Sequence, residues 1–247
     1  MVVKSQIKFI KSLQQKKHRM ENSLFVAEGV KTVIELLASR FKADCIYTTD
    51  AGLFTSLPVK YEVISESDLR KISGLKAPNK VLGVFHMRRP APLDFKDWIL
   101  VLDAVKDPGN LGTIIRLCDW FGILHLVCSK DTVDCYNPKV LQATMGSIGR
   151  VNIVYTDIQE LLQQAAPAVY GAYMDGTPVY EMEWPSSGLL VMGNEAHGIS
   201  KDLEGVIEKK VGIPQFGEAT TESLNVATAT AILLSELRRK RVSTTQR

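Results

Sequence analysis

Apolar positions along the chain keep two rhythms, short continuous runs and stripes three or four residues apart, and the rhythms alternate. LFVAE (Leu24 to Glu28), DCIYTT (Asp44 to Thr49), YEVIS (Tyr61 to Ser65) and VLGVFHM (Val81 to Met87) read as strands. Ile7, Ile10 and Leu13 predict one amphipathic helix over Lys4 to Met20 with a basic outer face. Val30, Val33, Ile34 and Leu37 predict a second helix, and Ser67 to Ser73 fits a third. Such mixing over the first 92 residues predicts a small α/β sandwich.

Pro90 and Pro92 then favour extended chain and discourage a helix across the joint. The domain boundary is expected there, giving residues 1–92 and 93–247. The second part restarts with ILVLDAV (Ile99 to Val105), a run suited to a buried central strand. Further strands are expected at His125 to Ser129, Val151 to Tyr155, Ala168 to Met174, Leu189 to Asn194 and Lys209 to Pro214. Helices are expected at Leu111 to Phe121, Pro138 to Ile148, Ile158 to Ala165, near Leu203 and from Ser223 to about Arg239. On pattern alone this is an open, mostly parallel, doubly covered sheet of the Rossmann kind.

Charge sharpens the division. The net charge of +3 hides 16 Lys and Arg against 8 Asp and Glu in residues 1–92, and 14 against 19 in residues 93–247. A basic half beside an acidic one is expected when one part grips a polyanion. Lys4, Lys8, Lys11, Lys16, Lys17 and Arg19 all precede the first acidic residue, Glu21, and mark the densest phosphate-binding candidate. Cys45, Cys118, Cys128 and Cys135 show neither C-x-x-C spacing nor zinc-type pairing with histidine, so they are expected as buried apolar side chains and no metal site is expected. No signal core opens the chain and no apolar run reaches about 18 residues. A reducing cytoplasm is the expected compartment, with no membrane partner.

In parallel sheets ligands bind at the carboxyl ends of the strands, which singles out three loops. DPGNLGTIIRLCDWFG (Asp107 to Gly122) offers a tight turn, Asn110 as an N-cap and Arg116 off the apolar stripe of its helix. It lacks the G-x-G-x-x-G of a dinucleotide site. MGNEAHGIS (Met192 to Ser200) brackets Asn194, Glu195 and His197 with glycines, which suits close backbone approach to a ligand. IPQFGEATTESLNVATATAILLSE (Ile213 to Glu236) offers Ser223 as a helix cap and a face of small residues, Ala227, Ala229 and Ala231. Asn225, one turn into that expected helix, carries a propensity cost that implies a task for its side chain.

In order and spacing, DPGNLGTIIR, GNEAHGIS and IPQFGEATTESLNVA resemble the three signature motifs of the SpoU/TrmH family of RNA ribose 2′-O-methyltransferases, within the SPOUT superfamily. The likeness spans Trp98 to Arg239, and NPKVLQATMGSIGRV (Asn137 to Val151) resembles the stretch the family carries between its first two motifs. KKHRMENSLFVAEGVK (Lys16 to Lys31) resembles the family's substrate-binding domain, a small α/β fold akin to certain ribosomal proteins. The resemblance implies an α/β fold whose C-terminal parallel sheet is threaded into a deep trefoil knot. It also implies a homodimer, S-adenosylmethionine as cofactor and structured RNA as substrate, ribosomal before transfer RNA, with DNA not expected. It assigns Arg116, Asn110, Glu195, Ser223 and Asn225 to catalysis, and Gly193, Ile213 and Leu224 to the cofactor. Seven residues, Gln215 to Thr221, separate the two halves of the third motif, longer than the usual family spacing. A catalytically silent RNA-binding homologue stays open as the alternative.

Overall fold

In the computed structural model, residues 2–39, 41–55, 57–217 and 223–245 are described, with side chains up to residue 239. In chain order the elements are α1 (Lys4–Ser12), α2 (Lys16–Asn22), β1 (Leu24–Glu28), α3 (Val30–Ala38), β2 (Ala43–Thr48), β3 (Tyr61–Val63), α4 (Glu66–Ile72) and β4 (Val81–His86). There follow β5 (Trp98–Leu102), α5 (Pro108–Trp120), β6 (His125–Ser129), α6 (Pro138–Thr144), β7 (Asn152–Thr156), α7 (Ile158–Gln164) and β8 (Val169–Pro178). β9 (Gly188–Met192), α8 (Lys201–Glu204), β10 (Lys209–Gly212) and α9 (Val226–Thr245) complete the chain. They form two compact units, Met1–Arg89 with Asp134–Arg150, and Pro90–Val133 with Val151–Arg247.

The first unit is built on a four-stranded sheet in the order β1-β4-β2-β3, antiparallel except for the β2/β3 pair. The expected helix over Lys4 to Met20 is two helices, α1 and α2, joined at Leu13–Gln15. Ile10 and Leu13 are fully buried, so the apolar stripe does face the core, yet Arg19 is buried with them. Its Nε donates to Asp134 Oδ2 at 3.1 Å, Nη2 donates to the same oxygen, and Nη1 donates to the Leu13 and Gln14 carbonyls at 3.0 and 2.8 Å. Arg19 is therefore a structural cation and not part of the basic outer face, which Lys4, Lys8, Lys11, Lys16 and Lys17 supply.

Asp134–Arg150 is packed into this unit throughout its length. The Tyr136 ring lies tilted against Phe25, centroids 4.7 Å apart, and Phe25 also meets Phe41 and stacks with Phe85. Arg150 Nη1 pairs with Glu35 Oε2 at 2.8 Å. At Gly146, φ +95°, a Cβ would stand 2.5 Å from Glu35 Cβ, so conformation and closeness both require glycine. α6 ends at Thr144, short of the expected Ile148, because Met145 and Gly146 turn left-handed. By composition this unit holds 18 Lys and Arg against 9 Asp and Glu, the second unit 12 against 18.

The second unit is a six-stranded sheet, β10-β8-β9-β5-β6-β7, with every pairing parallel. β5, β6 and β9 are the apolar runs read from the sequence, almost wholly buried under helices that include α7 and α8. All four cysteines are buried, and burial pushes the Cys45 and Cys118 thiols up. Among the described residues no cluster suits a metal ion, and no helix is long and apolar enough to cross a membrane.

Candidate active site

The carboxyl end of β5 organises the site through two successive residues. Asp103 is buried, and its Oδ2 accepts the Ser200 N–H at 2.7 Å. Ala104 sits at φ +55°, a left-handed position that an L residue keeps only when its surroundings hold it. Two bonds do so: the Ala104 N–H donates to Ser129 Oγ at 2.9 Å, and its carbonyl accepts from Asn194 Nδ2 at 2.6 Å. The turns after β5, β6 and β9 are thus fastened to one another.

α5 begins three residues earlier than its apolar stripe suggests. Asp107 is the N-cap, accepting the Asn110 N–H at 2.8 Å, with Pro108 at the first helical position. Asn110 is therefore not the cap, and its side chain is released for other work. Its Nδ2 donates to Glu195 Oε1 at 2.8 Å, and its Oδ1 accepts from Asn225 Nδ2 at 2.8 Å.

Asn225 explains its own unfavourable place. α9 starts at Val226, not at Ser223, and Asn225 caps it: Oδ1 accepts the Ala227 and Thr228 N–H groups at 3.0 and 3.2 Å. One amide thus fixes the helix start with its oxygen and Asn110 with its nitrogen. Asn110 in turn orients one oxygen of Glu195, leaving the other unassigned; among the described residues no Lys or Arg pairs with this carboxylate.

The loop carrying Glu195 is closed on itself. Asn194 and Gly198 exchange backbone hydrogen bonds of 2.8 and 2.9 Å, and Asn194 Oδ1 accepts the Ala196 N–H. A Cβ on Gly193 would lie 2.2 Å from the Gly198 carbonyl carbon, so no other residue fits. Below it, Gly212 ends β10 with its missing Cβ 2.9 Å from the Gly176 and Tyr173 carbonyl oxygens.

These loops border a cavity of about 520 Å³. Gly193, Glu195, Ile213, Ser223 and Leu224, five of the residues picked out by motif, line it. Asn110 and Asn225 reach it through Glu195. Arg116 does not: it is exposed on α5 and makes no polar contact among the described residues. Six residues separate it from Asn110, which turns it about 120° round the helix and about 9 Å along it. Missing from the sequence reading were the roles of Asp107 and Asp103 and the β8 wall, Ala172 to Met174. Asp-Pro at a helix start could have revealed the first; which strand lies beside β9 had no local signal. Glu218–Thr221 of the long loop lies outside the described residues.

Beside this wall, the Tyr173 hydroxyl is buried with no hydrogen-bond partner among the described residues. Burial raises its pKa, and the carboxylates of Glu204, Asp175 and Asp103 add to the shift.

A parallel sheet with a ligand-sized cavity at its carboxyl edge, ringed by three polar-bearing loops, defines a nucleotide- or cofactor-handling α/β protein. More narrowly, the chain belongs to the SpoU rRNA Methylase family, whose model matches residues 97–235; an MRM3-like substrate binding domain matches residues 4–83. It is 32% identical over 242 residues to the 23S rRNA (guanosine(2553)-2′-O)-methyltransferase RlmP of Bacillus subtilis (strain 168), covering 94% of this chain and 95% of that one. A TrmH-family structure from Porphyromonas gingivalis superposes with a TM-score of 0.90 at 35% identity, over 97% of this chain and 99% of that one. The AdoMet-bound rRNA methyltransferase of Sinorhizobium meliloti gives a TM-score of 0.85 at 31% identity, over 97% and 96%.

Proposed function

We infer that this chain transfers the methyl group of S-adenosylmethionine to a ribose 2′-hydroxyl of structured RNA, with ribosomal RNA as the substrate class. The observation that carries this is Asn110 joining Glu195 to Asn225 at the edge of the cavity. Family membership and a near full-length relative that acts on 23S rRNA support it.

The cavity fits the cofactor in size, since small-molecule sites run from about 300 to 1,000 Å³. Met174, Leu224 and Leu233 offer apolar wall, and Glu195, Gln215 and Ser223 offer polar anchors. Ile213 and Leu224 lie outside regular elements, where backbone groups can serve a ligand. The bound cofactor supplies an activated sulfonium methyl.

The chain's remaining task is to align a 2′-oxygen for attack on that methyl, the released proton passing to the RNA phosphate or to water. Glu195, held by one oxygen, orients polar groups at the cavity mouth, while Ser223 and Asn225 shape the opposite lip. Arg116 positions the RNA phosphate and steadies the forming alkoxide. A charged guanidinium, with a pKa above about 12, has no lone pair with which to act as a base. Because Arg116 stands outside this chain's cavity, a homodimer in which the partner subunit supplies the arginine accounts for it. The family's trefoil knot belongs to the same reading, as do RNA docking by residues 1–92, cofactor binding by 93–247 and a cytoplasmic setting.

The catalytically silent alternative is set aside. The matching relatives are named as methyltransferases, and the motif residues Asn110, Arg116, Glu195, Ser223 and Asn225 are all retained. Transfer of label from S-adenosylmethionine to rRNA tests the reading. We expect Arg116→Ala to abolish transfer with cofactor affinity nearly intact; transfer at the wild-type rate would remove Arg116 from the site.

A further inference from the structure

Ser129 ends β6, stands outside the three motif loops and is not among the residues that border the cavity. It is nevertheless buried, and its hydroxyl is fully engaged. Oγ accepts the Ala104 N–H at 2.9 Å, donates to Asp131 Oδ1 at 2.9 Å and lies 2.9 Å from Thr132 Oγ1. A hydroxyl has one proton and two lone pairs. With the proton given to the Asp131 carboxylate, both lone pairs face donors, the Ala104 amide and the Thr132 hydroxyl. Lys106 secures the far side of Asp131, its Nζ donating to Oδ2 at 3.0 Å and to the Asp131 carbonyl at 2.5 Å. Lys106 and Ser129 together hold the Asp131 carboxyl below the usual carboxylate range, which keeps it an acceptor. The Ser129 hydroxyl therefore has one direction.

What it directs is the left-handed residue after β5. On either side of Ala104 the backbone is fixed: the Asp103 N–H donates to the Met192 carbonyl at 2.9 Å, and the Val105 carbonyl accepts the Val133 N–H at 2.9 Å. Ala104 itself, at φ +55°, is gripped at its N–H by Ser129 and at its carbonyl by Asn194 Nδ2 at 2.6 Å. Loosening the first grip lets Ala104 relax toward the conformations an L residue prefers, and its carbonyl turns away from Asn194 as it does so. Asn194 immediately precedes Glu195 in the loop that borders the cavity.

We propose that Ser129 is a positioning residue for the cofactor: through the left-handed Ala104 it holds Asn194, and with it residues 193–200, in the form that takes S-adenosylmethionine. The cofactor half of this rests on the function proposed above, whereas the coupling of Ser129 to the loop does not. A loop that is competent for only part of the time weakens its ligand's apparent affinity by that fraction, so loop opening and cofactor affinity should move together.

The test compares full-length wild type, Ser129→Ala, Ser129→Ala with Ala104→Gly, and Asp131→Ala by amide hydrogen exchange, calorimetric titration with S-adenosylmethionine and thermal melting. Ser129→Ala is expected to speed exchange at the Asn194, Gly198 and Ser200 amides about 10-fold, and to weaken cofactor binding by a similar factor. Glycine takes a positive φ freely, so adding Ala104→Gly should bring both quantities back to within about 3-fold of wild type, although it restores neither the Ser129 bonds nor any packing. A residue contributing stability alone would lower the melting temperature in both variants and leave the affinity of the folded protein unaltered. Asp131→Ala, at an exposed position, frees the hydroxyl to turn and should move exchange and affinity the same way by about 3-fold; it decides the matter if Ser129→Ala does not fold. Wild-type exchange at residues 193–200, no recovery with Ala104→Gly, or faster exchange with unaltered cofactor affinity would each overturn the proposal. A wild type that binds no S-adenosylmethionine would fail the function proposed above instead, and the exchange rates would still decide whether Ser129 holds the loop.

Discussion

The two units use polar side chains for opposite purposes. In the first, Arg19 and Asp134 are 3% and 6% exposed and form a buried pair between positions 115 residues apart in sequence. In the second, Asn110 is half-buried at the start of α5, Glu195 and Asn225 are exposed on loops, and they make single neutral or half-neutral hydrogen bonds to one another. The first arrangement secures a discontinuous fold, because Asp134–Arg150 has to return to α2 and β1. The second contributes little stability but fixes directions at a cavity. A buried charge is costly to leave alone, whereas an exposed amide is cheap to hold and easily re-aimed by a ligand.

Breaking the buried pair should give the largest effect. Asp134→Ala leaves Arg19 uncompensated and should cost about 3–5 kcal/mol, whereas Arg19→Met with Asp134→Leu should recover most of it. Urea unfolding measures both; a loss below about 1 kcal/mol in the single variant would mean that the pair does not secure the unit.

Next comes Gly193→Ala, whose Cβ would collide with the Gly198 backbone. Forcing the loop open should cost about 1–3 kcal/mol and weaken S-adenosylmethionine binding at least about 10-fold by calorimetry. Cofactor affinity equal to wild type would detach this loop from the cofactor site.

Asn225 separates stability from aim. Asn225→Ala should lose about 1 kcal/mol of helix cap, while Asn225→Asp keeps the cap but lacks the Nδ2 donor to Asn110. Both should transfer methyl more slowly, and only the first should melt earlier. An aspartate variant with full activity would show that the Asn225 to Asn110 bond is dispensable.

Smaller effects are expected at the surface. Changing Lys4, Lys8 and Lys11, spaced along one face of α1, to Gln should leave stability within about 0.5 kcal/mol. It should flatten the salt dependence of RNA binding by a slope of about 2. An unaltered slope would move the docking face elsewhere.

The smallest effect concerns His125. Burial lowers its pKa against the opposing pull of Asp94, and its Nε2 accepts the Asp94 N–H at 3.3 Å. The unfolded chain then takes up the proton first, so the second unit should lose stability as pH falls below about 6.5, levelling off under the folded value. Melting curves of wild type and His125→Asn across that window should converge at low pH; parallel curves would exclude the histidine.

What the sequence revealed follows the range of the forces involved. Strands such as His125–Ser129 and the glycine-bracketed loop after β9 are set by neighbours a few residues away, and both were legible. Helix starts were misplaced where two capping residues compete: Asn110 was favoured over Asp107, and Ser223 over Asn225, although Asp107 frees the Asn110 side chain and Asn225 then holds it. Arg19 was read as one more solvated cation because nothing local marks its partner. The attachment of Asp134–Arg150 to the first unit and the β8 wall of the cavity are long-range pairings of the same kind. Arg238 holding the end of α5 is a further pairing of this kind, while the Lys240 and Arg241 side chains lie outside the described residues.

One measurement tests the central claim most directly. Unmodified large-subunit rRNA is incubated with the chain and methyl-labelled S-adenosylmethionine, digested to nucleosides and analysed by mass spectrometry. Label on a 2′-O-methyl nucleoside, absent with Arg116→Ala, is the predicted result. Label on a base, or no label from a protein that binds both RNA and cofactor, would contradict the account.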